Sequence, residues 1–327
     1  MELYEQLERA IAIWADIPYT VACSSGTAAL HLALEALQLP PSSEVILPDF
    51  TMIACARAIA LAGLTPVLVD CCSDLLIDPD LIEPAISDRT SAIMAVHIYG
   101  RRCAMEAIHE LAGKYGLLVI EDLAEIHGVR PHVNTHAACW SFYRNKIVAG
   151  EEGGVVGFRV PGQSKLAQSL RCLGFTEAHD FRHRPRGHNY RLANSLAWSI
   201  LNSLEMVEEN LAQRRAIEKW YDAACPSDLR MPPRDRVWVY DVRLPSYTAS
   251  WQQSGVVRRL LSLGIAARHA FKPMSRQVEF ERCRLITGES HQAALAANEV
   301  IYLPVQPGVT SPLLAHQAIH EISRTLD

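Results

Sequence analysis

Short apolar runs alternate with helical periodicity along the first half of the chain. "YTVAC" (19–23), "EVILP" (44–48), "TPVLVD" (65–70), "AIMAVHIYG" (92–100), "GLLVIED" (116–122) and "GGVVGFRV" (153–160) are almost continuously apolar over strand length. That is the pattern of strands covered on both faces. Between them, "SSGTAALHLALEALQL", "MIACARAIALAG" and "AMEAIHELAGKYG" place apolar residues at helical spacing. The last two end in Gly, as helix C-termini often do. Alternation of this kind predicts an α/β fold with a mostly parallel sheet between helices.

The second half changes character. "RCLGFTEAHDFRHRPRGHNYRL" (171–192) is polar and basic and predicts a long loop. Residues 193–224 form one long amphipathic helical stretch, able to bridge two units. Pro226, Pro232 and Pro233 then punctuate the chain before "VWVYDVRLP" (237–245) restarts a strand pattern. Helix "WQQSGVVRRLLSLG", strand "IAARHAF", an irregular stretch, "VIYLPVQPGVT" and a last helix complete it. We therefore expect a large domain over 1–208 and a smaller α+β domain over 209–327, with the junction inside 205–225.

The bulk numbers narrow the class. The 327 residues are 49 % hydrophobic and 20 % charged, enough for a full core, and the net charge of −5 argues against a general nucleic-acid binder. Nine scattered cysteines without a CxxC spacing imply neither a disulfide framework nor a zinc site, and point to reduced, cytoplasmic thiols. "MELYEQLERAIAIW" reads as an amphipathic helix without the basic start of a signal peptide, and no apolar run reaches the roughly 18 residues of a membrane span.

Three stretches carry candidate chemistry. "SSGTAAL" (24–30) follows a strand and opens a helix: Gly26 permits close approach, Thr27 offers a hydroxyl, and the first-turn N–H groups suit a phosphate or simply need a cap. Asp122 ends a buried strand, at the edge where open α/β sheets bind ligands. It either caps the next helix or pairs with a cationic ligand atom, with Glu125 one turn on. "SFYRNKIVAGEEGG" (141–154) holds Lys146, one of only five lysines against 26 arginines. It is an ordinary surface lysine, or an amine in a chain that otherwise uses Arg, because a guanidinium stays protonated and is no nucleophile. A phosphate seat, a strand-end carboxylate and an amine are three of the elements that a pyridoxal-phosphate site needs.

"VACSSGTAALHLALEAL", "EVILPDFT", "VHIYG", "VIEDLAEIHG", "CWSFYRNKIVAGEEGG" and "GHNYRLANSLAWSILNSLE" occur in the order and spacing of the DegT/DnrJ/StrS family. The chain resembles those fold-type I, pyridoxal-5'-phosphate-dependent sugar aminotransferases over about 18–210 and again at 302–310. The resemblance implies Lys146 as the Schiff-base lysine and Asp122 as partner of the pyridine nitrogen. Glu125 would stand where the family usually has Gln, beside the phenolic oxygen. Gly26, Thr27 and Ser141 would bind the phosphate, and Asn189 would reach the neighbouring subunit's site in a homodimer. An amino donor, glutamate or glutamine, and a nucleotide-linked keto sugar would be the substrates.

The chain also departs from the family. Met52 replaces the Trp or Tyr that stacks on the pyridine ring, Glu151 replaces Gly in "EEGG", and Arg144 stands where small residues are frequent. Arg144 would tune the lysine, grip a phosphate, or merely face solvent. His97, Tyr99 and His127 read as core or pocket wall. The run "RHRPRGH" (182–188) is a solvated loop or a diphosphate grip. "RHAFKPMSRQ" (268–277) replaces the usual small-domain motif, which helps choose the sugar in relatives. Together with Met52 it leaves open a cyclitol or non-sugar ketone as substrate, or dehydration, and a catalytically silent regulatory or partner-subunit role is a separate alternative.

Overall fold

The computed structural model describes residues 2–176, 181–245 and 250–326. Helix α1 (Leu3–Ala15) leads into β1 (Tyr19–Cys23), α2 (Gly26–Ala36), β2 (Glu44–Pro48), α3 (Ile53–Leu61), β3 (Thr65–Val69) and the short α4 (Ile82–Ala85). Next come β4 (Thr90–Val96), α5 (Met105–Tyr115), β5 (Leu118–Asp122), β6 (Ala137–Ser141), β7 (Gly154–Phe158) and α6 (Pro161–Arg171). The C-terminal part holds α7 (Asn194–Glu205), α8 (Val207–Ala224), β8 (Tyr240–Arg243), α9 (Ser250–Ser262), β9 (Arg268–His269), β10 (Leu285–Ile286), α10 (Gln292–Glu299), β11 (Val300–Leu303) and α11 (Pro312–Leu326).

Eight strands form one sheet in the order β1-β7-β6-β5-β4-β2-β3-β10. Neighbours run parallel except β7, which is antiparallel to both β1 and β6. This is the α/β fold expected from the alternation, with helices such as α2 and α5 packed on the strands. Every residue of β2 is buried, which explains why "EVILP" is a continuous run rather than an alternating one. A second, antiparallel sheet has the order β8-β11-β9 and its own apolar core, in which Tyr221 and Leu260 meet Val242, Ile301 and Ile322. No helix among the described residues is long and apolar enough to cross a membrane.

Several expectations need correction. Strand β6 lies in "AACWS", a segment not read as a strand. The run 92–100 is extended only to Val96, because Tyr99 (φ 52°) and Gly100 (φ 83°) turn into the left-handed region. The helical stretch 193–224 is two helices broken at Met206. The strands inside 237–245 and 265–271 shrink to β8 and β9. The 171–192 loop is tied across itself by isolated bridges, Cys172 to Asn189 and Phe175 to His183. Its residues 177–180 lie outside the described residues.

Two polar clamps hold the C-terminal part against the strand ends. Arg101, just past the Tyr99 turn, donates from both terminal nitrogens to the Asp241 carboxylate of β8 at 2.9 and 3.0 Å, and Arg234 shares that carboxylate. Burial opposes ionisation of Asp241, but Arg234 and Arg101 hold its carboxyl below the usual range. Removing one partner of such a buried cluster costs about 3–5 kcal/mol, because an unpaired charge remains. The second clamp is Asp49, beyond β2, whose carboxylate accepts the backbone N–H of Ser275 at 2.7 Å and its hydroxyl at 2.8 Å. The segment around residues 268–277 is thereby folded back over the large sheet.

Candidate active site

The carboxyl ends of β4, β5 and β6 open into a cavity of about 430 Å³. Asp122 is the last residue of β5, in register with Val96 and Cys139 on either side. Asp122 is 6 % exposed and its carboxylate is held from behind: Cys55 of α3 donates its thiol to Oδ2 at 3.2 Å, and the Ala124 N–H donates to Oδ1 at 3.0 Å. The Thr51 hydroxyl in turn donates to the Cys55 sulfur at 3.3 Å. Burial and the neighbouring Asp122 charge push the Cys55 thiol far up, so it stays a donor. The helix-cap reading of Asp122 fails, because residues 123–128 form turns and no helix lies between β5 and β6; Oδ1 closes a turn by accepting the Ala124 N–H, and the side chain faces the cavity.

A seat for an anion adjoins it. Ser25 caps α2, its hydroxyl accepting the Ala28 N–H at 3.1 Å, which leaves the amides of Gly26 and Thr27 at the open end of the helix. A Cβ on Gly26 would stand 2.6 Å from the Cβ of Ser141, and one on Gly154 would stand 2.2 Å from the Ser25 carbonyl oxygen. Only glycine lets β6, β7 and the helix start come this close, so the Ser141 hydroxyl and the first-turn amides share one concave cradle. The cradle fits a phosphate.

Lys146 sits on the loop between β6 and β7. That loop is braced from several sides. His127 Nδ1 accepts the Val148 N–H at 3.1 Å, Asn210 donates to the Ile147 carbonyl at 2.6 Å, and the Ser203 hydroxyl accepts the Ala149 N–H at 3.0 Å. Burial and the nearby Lys146 and Arg214 charges push His127 down to about 3, so it is a neutral brace. The lysine Nζ lies 3.7 Å from Glu125 Oε1 and 3.9 Å above the Trp238 ring, with its side chain only 11 % exposed. Trp238 also donates its indole N–H to the Asn145 carbonyl at 2.8 Å, so it covers the amine and fixes the loop that carries it. Glu125 accepts the Tyr99 N–H at 2.9 Å, which is what the strained Tyr99 turn supplies. Burial raises the Glu125 carboxyl to about 7, with Lys146 pulling down and Asp122 pushing up.

Gly26, Thr27, Met52, Asp122, Glu125, Ser141 and Lys146 all line this one cavity. Asn189 does not; it is exposed on the bridge to Cys172, outside this chain's own cavity. Met52 is 50 % exposed at the rim. Arg144 stands on the exposed outer side of the loop, its guanidinium 5.3 Å from the Tyr143 ring centre. His97 is fully buried, bridging Glu121 and the Cys103 N–H, with one edge on the cavity wall. The reading from sequence marked 268–277 as divergent and 302–310 as family-like, but it assigned no far-wall residue to the site and missed Trp238. Trp238, Arg268, Phe271 and Tyr302 all come from the C-terminal part, and Tyr99 packs its ring against the last two at 5.2 and 5.4 Å. The aromatic residues of "VWVY" were visible, but nothing local told that one of them meets Lys146.

A family model described as the DegT/DnrJ/EryC1/StrS aminotransferase family matches residues 2–318. The chain belongs to that family, whose members are of the pyridoxal-phosphate-dependent type. It is 33 % identical to a GDP-perosamine synthase of Caulobacter vibrioides over 93 % of this chain and 85 % of that protein. A UDP-2-acetamido-2-deoxy-3-oxo-D-glucuronate aminotransferase of Pseudomonas aeruginosa is 31 % identical over 92 % of this chain and 85 % of its own. Among solved structures, DesV of S. venezuelae, in complex with a ketimine intermediate, superposes with a TM-score of 0.89 at 27 % identity, covering all of this chain and 90 % of that one.

Proposed function

We propose that the chain uses pyridoxal phosphate to transfer an amino group from glutamate or glutamine to a nucleotide-linked keto sugar. The observation that carries this reading is the cradle at Gly26 and Ser141 set beside a strand-end carboxylate and a half-enclosed lysine amine. Ser141, Thr27 and the first-turn amides of α2 would hold the phosphate, Asp122 the ring nitrogen, and Glu125 the neighbourhood of the phenolic oxygen. Bound there, the cofactor supplies a carbonyl that accepts the amino group and a ring that withdraws electrons from the carbon losing its proton.

The chain's own residues do the rest. Asp122 keeps a proton at the ring nitrogen, with Cys55 and the Ala124 N–H fixing the direction of its carboxylate. Lys146 lifts a proton from one carbon and returns it to another, acting as general base and then general acid. The Trp238 face restricts where the amine can swing and shields it from water. Arg268 places a second cation on the cavity wall, suited to the carboxylate of the amino donor. Asn189, exposed and outside its own cavity, supports a homodimer in which each copy reaches the other's site.

The test is spectroscopic. Purified protein mixed with pyridoxal phosphate should absorb in the visible, and borohydride should fix the cofactor on the peptide containing Lys146. Lys146→Ala should lose that label and roughly 10²–10⁴-fold in turnover. A Lys146→Ala protein that still transaminates at the wild-type rate would refute the assignment.

A further inference from the structure

A second cluster lies on α2, away from the cavity. His31 and Glu35 are one turn apart on the same face of the helix, and His188 reaches them from the segment that carries Asn189. His188 Nε2 is 2.6 Å from Glu35 Oε2, His31 Nε2 is 3.9 Å from Glu35 Oε1, and the three ligand atoms all lie within 4.8 Å of one another. His31 is 3 % exposed, and its Nε2 is buried with no hydrogen-bond partner. The Leu61 carbonyl lies near enough to favour its protonation, but not in bonding geometry. The other ring nitrogen is engaged with the Tyr190 hydroxyl at 3.2 Å. If Nδ1 donates there, the Nε2 lone pair faces a carboxylate; if Nδ1 accepts, a buried N–H is left without an acceptor. Either state is unfavourable without a further group.

We propose that His31, Glu35 and His188 form a three-ligand site for a divalent transition cation such as Zn²⁺, which clips the Asn189 segment to helix α2. Two imidazoles and a carboxylate are an ordinary zinc ligand set, with a fourth position left for water. Around an ion held at about 2.0–2.1 Å the ligand atoms need only small side-chain adjustments from their present separations. Tyr190 is the outer partner that orients a metal-bound imidazole, and its ring also stacks on His188 at 4.7 Å. Arg186, 3.6 Å from Glu35 Oε1 and largely exposed itself, is the competing cation. The clip has a mechanical reach: the Tyr190 carbonyl accepts the Ser24 N–H at 2.9 Å, directly before the start of α2. The set contains no cysteine, so cysteine spacing carried no hint of it.

The experiment uses the full chain, treated with chelator and then titrated with Zn²⁺ against a chromophoric competitor, with Co²⁺ as the optical probe. We expect one Zn²⁺ per chain, a rise in thermal midpoint on adding it, and Co²⁺ bands of a four-coordinate nitrogen/oxygen site. His188→Ala and Glu35→Gln should each weaken binding well over tenfold and remove the thermal gain. Tyr190→Phe should weaken it roughly tenfold through ligand orientation. Absence of binding, equal affinity in wild type and both ligand variants, or a Co²⁺–thiolate charge-transfer band would overturn the proposal. The Co²⁺ spectrum is read on wild-type protein, so it decides the matter even if a variant misfolds.

Discussion

The two walls of the cavity are built differently. One wall consists of strand ends and helix starts between residues 19 and 154, where Asp122, Ser141 and Gly26 are placed by strand register and a close backbone approach. The other consists of Trp238, Arg268, Phe271 and Tyr302, placed by the clamps at Asp241 and Asp49. The first wall is set by local geometry of the sheet. The second depends on contacts between residues about a hundred or more positions apart in the chain. The difference teaches that the wall holding Asp122, Ser141 and Gly26 is fixed by the sheet itself, while the opposite wall is carried on a separately braced segment.

Among changes that leave Lys146 in place, the largest expected effect falls on the second wall. Trp238 is 5 % exposed, lies under the Lys146 amine and holds the lysine loop through Asn145. Trp238→Ala should lower kcat by roughly 10²-fold by letting the amine wander from its reacting position. It should also cost about 3–5 kcal/mol of stability as a large buried aromatic is lost. Steady-state kinetics and urea unfolding measure the two. Unchanged kcat with lowered stability would make this wall a cover rather than a positioning element.

A smaller effect tests the first wall. The folded Glu125 carboxyl keeps its proton up to about 7, whereas an ordinary glutamate releases it near 4.5. Between those values the folded state binds more protons than the unfolded one, so this group's contribution to stability falls as pH rises through that window. Without cofactor, Glu125→Gln should remove the penalty, matching wild type near pH 4.5 and exceeding it at pH 8 by up to about 3 kcal/mol. Urea titrations at both pH values decide the sign. A wild type that is the more stable at pH 8 would mean that the Lys146 pair outweighs burial.

Legibility in the sequence followed the same division. Strands β1 to β5 and β7 were readable because burial on both faces demands continuous apolar runs, as in "EVILP" and "TPVLV". Asp122 and Gly26 were readable as candidates because a strand end and a helix start attach to those runs at short distances, whereas Lys146, on a loop, stood out through the scarcity of lysine and the family motif around it. Strand β6 was hidden because "AACWS" has no β-branched residue to mark it, although four of its five residues are buried. The break at Met206 has neither Pro nor Gly to announce it, and Tyr99 enters the left-handed region without being glycine. Trp238 could be seen as a strand-like aromatic, but its meeting with Lys146 depends on a clamp between Arg101 and Asp241, 140 residues apart.

The smallest effect separates the lysine loop's backbone from its chemistry. Glu151 sits at φ 67° in this loop, a conformation that costs a residue with a Cβ about 1 kcal/mol and glycine little. Its backbone carbonyl accepts the Arg144 N–H at 3.1 Å, a bond that any residue can make. Glu151→Gly therefore relieves strain without moving the loop, offset in part by the greater freedom of glycine in the unfolded chain. The expected outcome is a gain of about 0.5 kcal/mol, a rise of a degree or two in thermal midpoint, and unchanged kcat. A loss of stability instead would show that attraction between the Glu151 carboxylate and the Arg144 guanidinium exceeds the strain, so that the side chain rather than the backbone holds this turn.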